Sequence, residues 1–300
     1  GYLGDLTSAF ESLCQQKDYS LLLESAEIES KENLKSIMLI DTAIVFECYG
    51  ATVTAIAQSE NGQSALNFLQ AQLSKLDIKN EIDGEKLTVN FQPTDPNVDE
   101  EQRLMAKNAF EVLRRIVTDF TIRDKVPMSI FVGGVFAYDM YANFEQVMTV
   151  KNGSNTCPDY CFYLAETLLV IDHQSKSAEL FGNIFSGHNV YASCFEIGRK
   201  LEDIKSSIEI LQNNATSTDN VAKVTELPND LSAIKTMLQV DVSDQQYMNY
   251  VTQLKQNIVN GDIFQVVPSR AFSYPCHNPI LAYRFLKQDN PSPYMFYMKH

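Results

Sequence analysis

Apolar and polar positions alternate between two periods along this chain, and the changes of period outline its elements. Leu6 to Gln16 has helical spacing; Leu21-Leu22-Leu23-Glu24-Ser25 is then a short apolar burst ending in a carboxylate and a hydroxyl, a buried strand with a polar tip. Ser36–Asp41, Ala43–Tyr49 and Ala51–Ala57 read as three strands of a meander, punctuated by Asp41-Thr42 and Gly50. Leu66, Leu69, Leu73 and Leu76 form a stripe that predicts a helix over Gly62–Leu76. Lys86–Phe91 predicts another strand, closed off by Pro93 and Pro96.

Further on, Ala106, Ala109, Phe110, Leu113, Ile116 and Val117 recur at three and four, predicting one helix over Asp99–Phe120 with acids at its start to suit the dipole. Met128–Tyr138, Phe162–Asp172 and Ala178–Ile184 read as central strands of a large antiparallel sheet. Gly133-Gly134 lies inside a strand and lacks the spaced third glycine and following helix of a phosphate loop, so close packing or a bulge explains it. Tyr138 and Asp139 read as a buried structural pair at that strand's end.

Helical spacing returns through Phe195, Ile197, Leu201, Ile204 and Ile208, and the polar tract Asn213–Asn220 then marks a surface loop or a seam. Ser243 with Gln246 is a capping-box signature for a helix whose apolar face is Tyr247, Tyr250, Val251, Leu254 and Ile258, ending near Asn260-Gly261. The stretch Gly261–Arg270, GDIFQVVPSR, reads as an apolar strand with Gln265 at its centre, an amide either buried with partners or pointed into a site. Pro279–Lys287 predicts a helix before the proline turn Asn290-Pro291-Ser292-Pro293 and a strand through Met298. The sequence stops at Lys299-His300 inside that strand, which predicts that the whole protein continues beyond it.

Composition narrows the class. With 300 residues and 45% hydrophobic content the chain supports a substantial core, as one large domain or two smaller ones. No apolar run reaches the roughly 18 residues of a membrane span, and the start lacks a signal-peptide pattern, so the chain reads as cytoplasmic with no membrane partner. A net charge of −14 opposes nucleic-acid and anionic-lipid binding. Any anionic small substrate would need a basic pocket, and no dense Lys/Arg cluster supplies one. The six cysteines are scattered; only Cys157 and Cys161 are close, without a second Cys or His pair, and the four histidines are dispersed, so no metal ligand is assigned.

Five stretches in order resemble one family, the large subunit (component I) of anthranilate synthase in the chorismate-utilising group: Leu21–Ser25, Gly133–Asp139, Cys157–Thr167, Gly261–Arg270 and Asn290–Met295. The resemblance implies an α+β fold of large antiparallel sheets forming a sandwich flanked by helices, built from interleaved segments. It implies an N-terminal regulatory region over residues 1–212, a linker or surface loop over 213–232, and the start of a chorismate-binding catalytic region over 233–300. The implied reaction converts chorismate and ammonia, supplied from glutamine by a glutaminase subunit, to anthranilate and pyruvate with Mg2+ as cofactor. The magnesium-binding glutamates and catalytic histidine of the family belong to a C-terminal part beyond this chain, which alone is expected to be inactive.

Residue by residue, the resemblance implies a feedback-inhibitor pocket for L-tryptophan formed by Glu24, Ser25, Asn290, Pro293, Tyr294, Met295 and Phe296, with Lys35 nearby. A carboxylate can hold an ammonium, and Pro293, Tyr294, Met295 and Phe296 can wall an indole. Glu24 and Ser25 also fit a plain strand cap. Gln265 is the catalytic candidate: related isochorismate and salicylate synthases carry a water-activating lysine there, whereas an amide orients a nucleophile such as ammonia without deprotonating it. A satisfied core glutamine is the plainer alternative. The sister enzyme aminodeoxychorismate synthase component I and a non-catalytic amino-acid-binding module are the rival functions.

Overall fold

The computed structural model describes residues 2–25, 35–92, 99–123, 128–143, 157–217 and 236–300. Its strands are β1 (Ser20–Glu24), β2 (Lys35–Tyr49), β3 (Thr52–Ala57), β4 (Asn80–Asp83), β5 (Lys86–Asn90), β6 (Val132–Phe136), β7 (Tyr160–Asp172), β8 (Ser177–Gly182), β9 (Gln239–Val240), β10 (Phe272–Ser273) and β11 (Met295–Lys299). Its helices are α1 (Leu6–Cys14), α2 (Glu60–Lys75), α3 (Glu100–Met105), α4 (Phe110–Asp119), α5 (Val190–Ser217), α6 (Asp244–Asn260) and α7 (Pro279–Asp289). The fold is α+β with a large antiparallel sheet, as expected: nine strands form one sheet, and β9 and β10 make a separate two-stranded ribbon.

Compactness divides the chain into two units that do not follow one another in sequence. One comprises residues 1–217 together with 283–300, the other residues 218–282. The nine-stranded sheet belongs to the first. There β2 and β7 pair antiparallel from Lys35↔Asp172 to Cys48↔Tyr160, and each gives its far edge to two shorter strands. β1 and β3 share that edge of β2, and β6 and β8 share that of β7. β11 then pairs outside β1.

The two strands expected at Ser36–Asp41 and Ala43–Tyr49 are one strand, because Asp41-Thr42 forms a bulge within the sheet and not a turn. Between the pairs Leu39↔Leu168 and Ile44↔Leu164, β2 advances five residues and β7 four. The polar residues at this point are buried and find partners inside the sheet. Asp41 N–H donates to Thr167 Oγ1 at 3.1 Å, the Thr167 hydroxyl donates back to Asp41 Oδ2 at 2.6 Å, and Thr42 donates to the Tyr19 carbonyl at 2.9 Å. Glu166, 1% exposed, accepts from Ser59 Oγ at 2.5 Å, Asn61 Nδ2 at 3.1 Å and Lys200 Nζ at 2.6 Å. Burial opposes the charge on Lys200, but its hydrogen bond to Glu166 prevails and its pKa is raised.

Alternation along β2 and β7 builds two apolar layers. Ile44, Phe46, Tyr160 and Leu164 meet Leu66, Leu69 and Leu73 of α2 and Val112 and Ile116 of α4, whereas Val45, Cys161 and Tyr163 join Leu21 and Leu39 in a second cluster. A fully buried aliphatic side chain in such a layer contributes about 1.5–3 kcal/mol relative to exposure. Ser59 caps α2 by accepting from Gly62 N–H at 2.9 Å. A Cβ on Gly62 would lie 2.1 Å from the Ala43 carbonyl oxygen, so glycine lets the helix start against the sheet.

Other expectations need adjustment. The single helix over Asp99–Phe120 is two, α3 and α4, because Asn108 turns its side chain onto Phe110 N–H at 3.0 Å and competes with a continuous helical ladder. Strand β4 was not foreseen, although Gly84, at φ +56, supplies the turn that folds it onto β5. Tyr138 and Asp139 are exposed in a 3-10 turn, not a buried pair. Helix α5 runs through Ser217, so the first residues of the expected 213–232 loop are helical, and 218–232 lie outside the described residues.

In the second unit the capping box forms as read: Ser243 accepts from Gln246 N–H, and Gly261 closes α6 at φ +82. Gly261–Arg270 is not a strand. A strand needs a ladder partner, and no described strand pairs with this segment; Phe264 and Val267 are exposed. The apolar face of α6 is open as well, with no buried residue on the helix. Among the described residues no helix is long and apolar enough to cross a membrane.

Close packing at Gly134 is directly testable. A Cβ there would meet the Cys161 carbonyl oxygen at 2.1 Å and Phe162 Cα at 2.6 Å, both backbone atoms that cannot step aside without disturbing the ladder. Gly134→Ala is expected to lower stability by about 1–3 kcal/mol in urea unfolding; an unchanged midpoint would contradict this packing.

Candidate functional site

Three of the residues expected to form an effector pocket, Glu24, Ser25 and Met295, meet at one end of β1. Leu21 and Leu22, on opposite faces of β1, are both buried, and the register with β11 sets Glu24 opposite Met295. Glu24 is 5% exposed and Ser25 6%. A buried carboxylate is costly unless paired and hydrogen-bonded. Both its oxygens are engaged: Oε1 accepts from Lys287 Nζ at 2.6 Å and Oε2 from the Tyr283 hydroxyl at 3.0 Å. Tyr283 and Lys287 are four apart on α7, hence on one helix face. Burial, then the Glu24 charge, raises the Tyr283 pKa, so the phenol stays protonated and donates.

Behind Glu24 runs a polar relay. The Ser25 N–H donates to Ser36 Oγ at 3.2 Å, Ser36 Oγ lies 2.7 Å from His173 Nε2, and His173 Nδ1 lies 2.9 Å from the Tyr2 hydroxyl. The rings of Tyr2 and His173 meet edge to face. Burial holds the His173 pKa below its usual value, with Lys287 acting in the same direction and the charges of Glu24 and Asp172 opposing.

Of the expected pocket residues, Glu24, Ser25 and Met295 come together, and Met295 is buried. Asn290 follows the last residue of α7 and begins the turn to β11, its N–H bonded to the Leu286 carbonyl at 2.8 Å, and Pro293 is half-buried. Tyr294 and Phe296 are 77% and 56% exposed, leaving aromatic surface on the same turn and strand. Lys35 is exposed at the start of β2, 3.9 Å from Asp172, and makes no hydrogen bond to Glu24. Gln265 is exposed in the irregular segment of the second unit, so it is not a buried strand glutamine.

Sequence reasoning missed Tyr283, Lys287, Ser36 and His173. A signal for two of them existed: a buried glutamate demands a counter-charge, and Tyr283 and Lys287 share a helix face just before the proline turn. Ser36 and His173 carried no comparable signal, because only the β2–β7 register brings them together. Among the described residues no group of three His, Cys, Asp or Glu could hold a metal ion.

The chain belongs to the chorismate binding enzyme family, whose model matches residues 83–300. It is similar to anthranilate synthase component 1 of Vibrio parahaemolyticus, with 42% identity over 99% of this chain and 52% of that protein. With the protein of the same name from Salmonella typhimurium the identity is 38%, over 99% of this chain and 54% of that one. The chain thus spans about half the length of the curated relatives it matches. A crystal structure of anthranilate synthase component I from Streptococcus pneumoniae TIGR4 matches 88% of the chain and 47% of that structure at 20% identity and a TM-score of 0.48.

The His173 relay gives a pH-dependent stability of definite sign. Its folded pKa lies below the unfolded value of about 6.5, so the relay's stabilisation is present above that pH and is lost as pH falls toward the folded pKa. The urea-unfolding gap between the native chain and His173→Gln is expected to narrow from about pH 7.5 to about pH 5.5. A gap that stays constant over that interval would show that His173 does not titrate differently on folding.

Proposed function

We propose that this chain is the N-terminal part of an anthranilate synthase component I, with a regulatory region over residues 1–212 and the opening of the catalytic region over 233–300. The whole protein converts chorismate and ammonia to anthranilate, pyruvate and water, and a glutaminase subunit releases the ammonia from glutamine. The observation that carries the reading is the β1–β11 register, which pairs Glu24 with Met295 and so joins two stretches far apart in sequence at one place. Chorismate as substrate is supported by family membership, and the choice of anthranilate synthase by the names of the relatives.

In this reading L-tryptophan binds at the Glu24 end of the sheet. The carboxylate of Glu24 takes its α-ammonium, Ser25 adds a directional hydrogen bond, and the Asn290–Phe296 segment covers the indole. Binding inhibits by preferring one of two arrangements of the whole enzyme, which requires different affinities for the two. Gln265 orients ammonia or a ring hydroxyl once the remainder of the enzyme surrounds it; its present exposure, with that of Phe264 and Val267, matches a surface awaiting further chain. In this reading Mg2+ is the cofactor and its ligands belong to the further C-terminal part of the whole protein; among the described residues no group of three His, Cys, Asp or Glu could hold a metal ion.

Calorimetric titration of the chain with L-tryptophan tests the regulatory half of the reading. Saturable binding is expected, lost in a Glu24→Ala, Ser25→Ala double variant; absence of binding by a folded chain would overturn the pocket. The chain alone, given chorismate, magnesium and ammonium, is expected to produce no anthranilate fluorescence. Turnover by the mass-verified 300-residue chain would refute the assignment of the catalytic groups to further sequence.

A further inference from the structure

We infer that Lys287 is a built-in competitor for the Glu24 carboxylate, and therefore the residue that sets how tightly an incoming ammonium is held there; the inference rests on the effector reading above. The lysine ammonium donates to Glu24 Oε1 at 2.6 Å. The Glu24 side chain is 4% exposed and that of Lys287 25%, so the lysine is the more solvent-facing member of the pair. An ammonium arriving from solution meets the carboxylate where Lys287 now stands.

The exchange is chemically like for like. A lysine ε-ammonium and an amino acid's α-ammonium carry the same charge and three N–H donors each. Two such groups on one carboxylate repel, so entry of the ligand favours withdrawal of the lysine. Withdrawal turns the Nζ toward solvent, to which the Lys287 side chain is already 25% exposed, and away from the buried Thr7 Oγ1 that it also meets at 3.2 Å. Helix α7 does not depend on the Glu24 contact alone: Arg284, on the preceding turn, donates to Ser8 Oγ at 3.1 Å and Glu11 Oε2 at 3.3 Å. Tyr283 plays a different part. Its neutral hydroxyl takes Oε2, competes with no cation, and holds the carboxylate in place in both states.

Apparent affinity for the ligand is reduced by the fraction of chains in which Glu24 is already occupied. Removing the competing charge removes that reduction. Lys287→Gln, which retains an N–H donor for Glu24, and Lys287→Met are each expected to lower the calorimetric Kd for L-tryptophan by about tenfold or more. Tyr283→Phe is expected to give no tightening. In the native chain, acylation of Lys287 by an amine-reactive reagent, followed by mass spectrometry, is expected to rise with tryptophan and saturate with binding.

A native chain that binds tryptophan, with lysine variants that bind equally or more weakly, overturns the inference and leaves the effector reading standing. Labelling of Lys287 that falls as tryptophan binds overturns it too, without recourse to a variant. Failure of every chain to bind removes the effector reading at the native arm, and the inference with it.

Discussion

The pairing of β2 with β7 is the constraint from which the first unit is built. Both strands are buried along nearly their whole length, and each can be lined on its far edge only by short strands because the bulge at Asp41-Thr42 interrupts the register. One extra residue on β2 would ordinarily leave backbone and polar side chains unpaired in the core. Here Thr167 and Asp41 exchange two hydrogen bonds across the break, Lys17 pairs with Asp41, and Glu166 gathers Ser59, Asn61 and Lys200. The same break therefore anchors α2 through its capping serine and α5 through Lys200, so one irregularity positions two helices.

A second buried carboxylate follows the same physics to a different end. Both carboxylates are neutralised by a lysine of similar partial exposure, Lys200 at 24% for Glu166 and Lys287 at 25% for Glu24. Glu166 also accepts from Ser59 and Asn61, which tie it to the start of α2 and make it a structural joint. Glu24 has the Tyr283 hydroxyl beside its lysine, so both of its side-chain partners come from one helix, α7. The difference lies in the other donors that brace each carboxylate.

Much of this was legible in the sequence, and the limits have physical causes. Capping residues such as Ser243 and the Leu66–Leu69–Leu73 stripe act locally, so period and cap chemistry found their helices. The turn placed at Asp41-Thr42 shows the opposite case: those residue types favour turns in isolation, and partners from elsewhere in the chain, Thr167, Lys17 and Tyr19, make them acceptable inside a strand. Gly261–Arg270 erred in the other direction, since apolar content cannot form a strand without an edge to join. For the candidate site, resemblance picked out Glu24, Ser25 and the proline turn, but the groups that neutralise and brace them are set by register. His173 reaches Ser36 because Ser36 pairs with Ile171.

The two units differ in how far their own residues satisfy them. In the first, β11 supplies the outer partner of β1, so a strand whose buried leucines would otherwise face an open edge is completed within these 300 residues. In the second, α6 carries a full capping box and a left-handed glycine stop yet buries none of its side chains, while Met248, Tyr250, Ile258 and Val259 are exposed. Local signals suffice to start and stop a helix, but in water an amphipathic helix gains most of its stability by burying its face. In the first unit the polar groups around Glu24 are thus paired and set by the sheet, whereas in the second the caps and turns of α6 stand without a buried side chain on the helix.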